Sequence, residues 1–140
     1  MKDENTYNGW KNYATWRVGL EMFDGFSIDC HWDEEEWKAW LNRAIDEAVK
    51  MAPKSSSENL GEVRAFWFTA EMVAGMADYL KELVEVSMWH LEASERTIHG
   101  WASAFVDEVS FREIAEHLLM DDSLYNQALE NVKAGAEEIA

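Results

Sequence analysis

Cysteine occurs once in the chain, at Cys30, which excludes an intramolecular disulfide framework and a thiolate zinc cluster and fits a reducing cytosol. Proline also occurs once, at Pro53, so few positions force the backbone out of a helix. Val, Ile and Thr are sparse, and no segment keeps the period-two alternation of a half-buried strand. Nothing approaches the roughly 20 apolar residues that span a bilayer. The opening MKDENTYNGW lacks the apolar core of a signal peptide, so a cytoplasmic protein is expected. Positive charge is scarce as well: Lys and Arg total 12 against 28 Asp and Glu, a formal charge of −16. Such a chain repels nucleic acid and anionic membrane, and basic protein surfaces are its natural counterpart.

Acidity without aromatic residues would indicate disorder, but this chain is 13% aromatic with eight tryptophans, and 48% hydrophobic. It folds and stays acidic. Its 140 residues suit one domain with a real core, spanning 1–140.

Apolar residues recur at helical spacing in successive segments. Residues 1–9 read as frayed, with Gly9 closing them. A first helix from Asn12 carries Tyr13, Trp16, Val18, Leu20 and Phe23 as a buried aromatic element before Asp24 and Gly25 stop it. Phe26 to Trp32 reads as a loop, or a brief extended piece. Asp33 with Glu36 matches a capping box and starts a helix bearing Trp37, Trp40, Leu41, Ala44, Ile45, Ala48 and Val49, which Pro53 ends. The polar stretch from Pro53 to Gly61 is a connection. Further helices run from Ile98 to Glu108, with Trp101, Ala104 and Phe105 inward, from Ser110 through Ile114, Ala115 and Leu118, and from Asp122 or Ser123 through Val132 toward Ile139. Ser110 and Glu113 match the reciprocal capping box.

The longest pattern covers about 62–93. At about 100° per residue, Val73, Met76, Ala77, Leu80, Leu83, Val84, Ser87 and Leu91 fall in one sector, and Glu71, Asp78, Glu82, Glu85 and Glu92 fall opposite. Gly75 is a candidate bend. The expected fold is all-α, a compact bundle of about five or six helices around this central one.

Two segments resemble a known pattern. Gly9-Trp10-Lys11-Asn12-Tyr13-Ala14-Thr15-Trp16, continuing to Phe23, resembles the opening of small proteins carried by bacteriophages and other mobile elements. These are grouped as a domain of unknown function with an Asn-Tyr-x-Thr-Trp signature. Val109-Ser110-Phe111-Arg112-Glu113-Ile114-Ala115-Glu116-His117-Leu118-Leu119 is similar to their second signature. The resemblance implies phage or plasmid origin and supplies no catalytic residues. From Asp33 to Arg96 the chain is longer and more acidic than the short members. In physical terms, Asn12 would cap a helix that Tyr13 and Trp16 pin to the core, with Thr15 near the first-turn amides.

No catalytic arrangement is legible. Glu113 with His117, or His90 with Glu85 or Glu92, offers ligand pairs without a His-Glu-x-x-His motif, and Cys30-His31 lacks a third partner. No enzyme activity, metal or cofactor is expected. The carboxylate line on the central helix is the leading candidate, about 30 Å long by helical rise, comparable to several phosphates along a strand. Its everyday reading is a solvated helix face. Its functional reading is charge mimicry of nucleic acid, occupying the basic groove of a host defence protein or ribonucleoprotein of CRISPR or restriction type. Asp33 and Glu36 are accounted for by capping, which leaves Glu34 and Glu35 as secondary acidic contacts. Phe66, Trp67 and Phe68 are consecutive and cannot all face inward on one helix, so part of this group lies against a neighbour or a partner. The competing expectation is a structural or regulatory module that homodimerises through aromatic residues, its acidity serving solubility or salt adaptation. Unfolding in low salt with stability in molar salt would mark the salt-adapted case.

Overall fold

The computed structural model describes residues 6–53, 59–89 and 104–139. Its helices are α1 (Tyr13–Met22), α2 (Ile28–His31), α3 (Glu34–Met51), α4 (Leu60–Trp89), α5 (Phe111–Met120) and α6 (Ser123–Lys133), with a helical turn over residues 104–107. The fold is all-α and α4 is its long helix, as the sequence pattern leads one to expect. Among the described residues the extended pairing is an isolated bridge between Tyr7 and Trp10. The chain divides into two compact units, each built from two stretches: Met1–Phe26 with Met76–Ala115, and Ser27–Gly75 with Glu116–Ala140.

α4 contributes core residues to both. Phe68, Met72, Met76, Leu80 and Val84, each four residues after the last, are all buried. A four-residue step overshoots one helical turn by about 40°, so the buried line winds around α4 instead of following one face. The single inner sector from Val73 onward therefore describes only the later part of the helix. Ser87, placed in that sector, is exposed and its hydroxyl donates back to the Leu83 carbonyl. Gly75 does not interrupt α4. A Cβ there would lie 3.0 Å from Trp40 Cζ2, so glycine makes room for the Trp40 indole. Leu91, like His90, Glu92 and Trp101, lies outside the described residues.

In the first unit the two signatures meet. Asn12 caps α1 by accepting the Thr15 N–H at 2.8 Å, and its side-chain amide donates to the Glu108 carbonyl at 2.8 Å. Thr15 is 0% exposed. Its hydroxyl donates to Asn12 Oδ1 at 2.7 Å and accepts the Ser110 N–H at 2.8 Å. Glu113 Oε1 accepts the Lys11 N–H at 2.8 Å. The reciprocal capping box expected at Ser110 is thus half present: Ser110 Oγ accepts the Glu113 N–H at 3.3 Å, while the other half is replaced by bonds to the start of α1.

The inward side of α1 is Ala14, Thr15, Val18 and Gly19. Of the residues expected inward, Val18 and Phe23 are buried, whereas Tyr13 and Leu20 are exposed and Trp16 is half-buried. Small side chains let α1 approach closely, and the large rings are left outside. Those rings gather on the preceding segment, which is not frayed over Tyr7–Trp10. Tyr7 and Trp10 exchange two backbone hydrogen bonds at 2.8 Å across Asn8 and Gly9, whose φ values of 48° and 85° both lie in the left-handed region. This is the Asn-Gly hairpin turn. It places Tyr7 against Tyr13 and Trp16, with ring centroids 5.1 and 4.8 Å apart. Ala104 is exposed and not inward, whereas Val106 and Val109 are buried.

In the second unit the short helix α2 replaces the expected loop, burying Ile28. Both halves of the Asp33–Glu36 capping box form, at 2.7 and 3.3 Å. The inner face of α3 is Trp37, Leu41, Ala44, Ile45 and Ala48. Asp122 accepts both the Tyr125 N–H, capping α6, and the Trp37 indole N–H, tying α6 to α3. Arg64, 2% exposed, donates from Nε to the Ala52 carbonyl at the end of α3 and from a terminal nitrogen to Glu137 at 3.4 Å. α6 ends at Lys133 and turns through Gly135, so Ile139 is not helical. Its backbone is instead held by both polar atoms of the Asn42 amide, at 2.8 and 3.2 Å.

Two outcomes follow from these bonds. Thr15→Val keeps the shape but leaves the Ser110 N–H unpaired, and should cost about 1–3 kcal/mol in urea unfolding, with Thr15→Ser recovering most of the loss. Tyr125 stacks on Phe68 with centroids 5.6 Å apart, and burial pushes its hydroxyl above the ordinary value, a rise to which Glu116 adds and which the hydrogen bond with Thr69 opposes. The unfolded chain therefore releases this proton first. The stability it contributes is intact below about pH 10 and declines as pH rises toward the folded-state value. Comparing urea midpoints of wild type and Tyr125→Phe at about pH 8 and pH 11 should show a steeper decline in wild type.

Candidate acidic interface

The expected carboxylate line is at the surface wherever it is described. In the first unit, α4 presents Asp78, Glu82 and Glu85, all exposed. On the part of α4 in the second unit, Glu71 is exposed too. Glu92 lies outside the described residues. Burial of Leu80 and Val84 explains why these acids face outward: once the apolar side is fixed, residues about 120–180° away on the helix are left to solvent.

The line is not purely negative. Lys81 lies 3.9 Å from Glu85, one turn away, and both side chains are about half exposed. An exposed pair of this kind contributes little to stability and exchanges readily with another cation. Asp78 and Glu82 are exposed on the same side of α4. Glu34 and Glu35 are exposed in the first turn of α3, where the helix dipole favours them, and Glu34 pairs with Lys38 at 2.9 Å.

Of the three consecutive aromatics, Phe68 is 0% exposed and belongs to the core. Trp67 is half-buried, and Phe66 is 65% exposed with its ring against Trp67 at 5.3 Å. The candidate aromatic surface is therefore Phe66 with the edge of Trp67, and Phe68 is withdrawn from it.

Other constellations stay apart or serve the fold. Glu113 accepts the Lys11 N–H, and His117 is exposed. Cys30 is exposed on α2 beside His31, whose ring lies against Trp32. Among the described residues, no group of three or more His, Cys, Asp or Glu side chains is placed to hold a metal. Asp46, Val49, Lys50, Glu137 and Glu138 line a hollow of about 620 Å³ in the second unit, with no histidine, serine or cysteine among them. No helix among the described residues is long and apolar enough to cross a membrane.

No family model and no solved structure matches the chain. Seventy residues, 49% of the chain, are 30% identical to part of the valine–tRNA ligase of Laribacter hongkongensis (strain HLHK9). The matched stretch is 7% of that protein's length, a likeness to a segment and not to the enzyme.

Proposed function

We propose that this is a phage- or plasmid-encoded acidic binding protein that acts in the host cytoplasm by stoichiometric, non-catalytic binding. Its target is a defence protein or ribonucleoprotein, of CRISPR or restriction type, that holds nucleic acid in a basic groove. The observation that carries the reading is the exposure of Asp78, Glu82 and Glu85 on a helix whose opposite side is anchored in a core. Charges held on a rigid element are already arranged when a basic groove arrives, so little ordering entropy opposes the contact. The formal charge of −16 adds long-range attraction to such a groove and repulsion from nucleic acid itself. The resemblance of the two terminal signatures to mobile-element proteins supplies the biological setting.

The segment similar to valine–tRNA ligase does not redirect this reading. That protein's name concerns tRNA, a polyanion, whereas 28 acidic against 12 basic residues make this chain a poor nucleic-acid binder.

Attraction between partly exposed charges weakens as the Debye length shrinks, to about 8 Å at 0.15 M salt. Binding should accordingly weaken with salt and compete with DNA. The triple variant Asp78→Lys, Glu82→Lys, Glu85→Lys changes exposed positions and should keep its helical circular dichroism. Its affinity for the target should drop by about tenfold or more, and plating of a restricted phage on defence-carrying bacteria that express it should fall to the level of cells without the protein. Protection by the triple variant equal to wild type would remove the acidic line as the site.

A further inference from the structure

We infer that α4 carries a second, apolar docking strip, Val63, Phe66, Trp67, Ala70 and Ala74, whose occupant is a basic amphipathic helix of the target. The inference rests on the proposed reading of the target as basic, and names the element that would be gripped. These five residues recur at three- and four-residue spacing, fall within about 100° of one another on the helix, and lie in one unit. None is fully buried: Phe66 and Ala74 are exposed, and Val63, Trp67 and Ala70 are half-buried. Burial on this part of α4 falls at Arg64, Ala65, Phe68 and Met72, and at Val73, which closes the strip's edge beside Ala70 and Ala74.

The shape suits a helix. Phe66 stands up at one end, and Ala70 and Ala74 form a low trough along the next two turns. A ridge of larger side chains can settle there with the backbones close together. The charge selects the kind of helix. Glu62 borders one edge of the strip and Glu71 the other, both exposed, so lysines or arginines flanking a partner's apolar stripe meet carboxylates on either side. A second copy of this chain would bring the same acids and a formal charge of −16 against them, and an anionic membrane would meet the same repulsion. Phe66 becomes the anchor of the contact, with an aromatic ring already rigid on a folded helix.

The test uses the full chain and two probes of equal charge: a lysine–leucine peptide written in amphipathic helical register, and an oligolysine. Binding is measured by calorimetry at about 0.1 M and about 0.5 M salt, where charge contacts are screened to different extents. The amphipathic peptide should bind roughly tenfold or more tightly than the oligolysine. That excess should persist at the higher salt and disappear in Phe66→Ser and in Ala74→Glu, both exposed positions whose variants keep wild-type circular dichroism. Equal binding of the two peptides, or an excess indifferent to both variants, overturns the apolar strip and leaves the acidic reading standing. Failure of both peptides to bind at about 0.1 M salt overturns both together. A wild-type dimer in light scattering that Phe66→Ser dissociates would assign the strip to a second copy, and overturns the inference as well.

Discussion

The Thr15 hydroxyl is the contact on which the first unit depends. It is fully buried, donates to the residue that caps its own helix, and accepts the backbone N–H of Ser110 near the start of α5. Around it, Asn12 reaches the Glu108 carbonyl and Glu113 reaches the Lys11 amide. Two helix beginnings, far apart in the chain, supply the partners that each other's backbone groups lack. Backbone amides and carbonyls at helix ends lack partners within the helix, and here bonds between the two termini add to those within each cap. Asn12, Thr15, Ser110 and Glu113 therefore serve the fold. The proposed contacts lie apart from these bonds, on the surface of α4.

Sequence reasoning succeeds where the physics is local. The Asp33–Glu36 box forms as written because its four atoms lie within one turn, and the α3 face follows from one periodicity read against one core. Ser110 and Glu113 show the same local pattern, yet each is also drawn to an atom about a hundred residues away, and nothing nearby in the chain announces this. α1 departs from its pattern for a different reason. Tyr13, Trp16 and Leu20 look like the core by hydrophobicity, but the close approach favours Ala14, Thr15, Val18 and Gly19, leaving Tyr13 and Leu20 exposed and Trp16 half-buried. The Asn8-Gly9 turn was available in the sequence, since that dipeptide favours paired left-handed residues. α4 blurs because its buried line winds, so no single face describes thirty residues.

For the candidate surface, the pattern gave the side of the helix, and the structure gives its exposure. An acidic sector opposite apolar residues is legible from periodicity alone. Whether another element covers it is not, and neither is the pairing of Lys81 with Glu85, which depends on rotamers as well as spacing. The aromatic triplet is similar: helical rotation forces at least one ring outward, but only packing decides that Phe68 enters the core while Phe66 remains outside.

Capture of host proteins from a bacterial lysate at about 0.1 M and about 0.5 M salt, with and without added DNA, tests whether the protein mimics nucleic-acid charge. A nucleic-acid-handling protein or ribonucleoprotein whose recovery falls with salt and is displaced by DNA is the expected result. Recovery of the same partners undiminished at both salt concentrations and indifferent to DNA would contradict a nucleic-acid mimic.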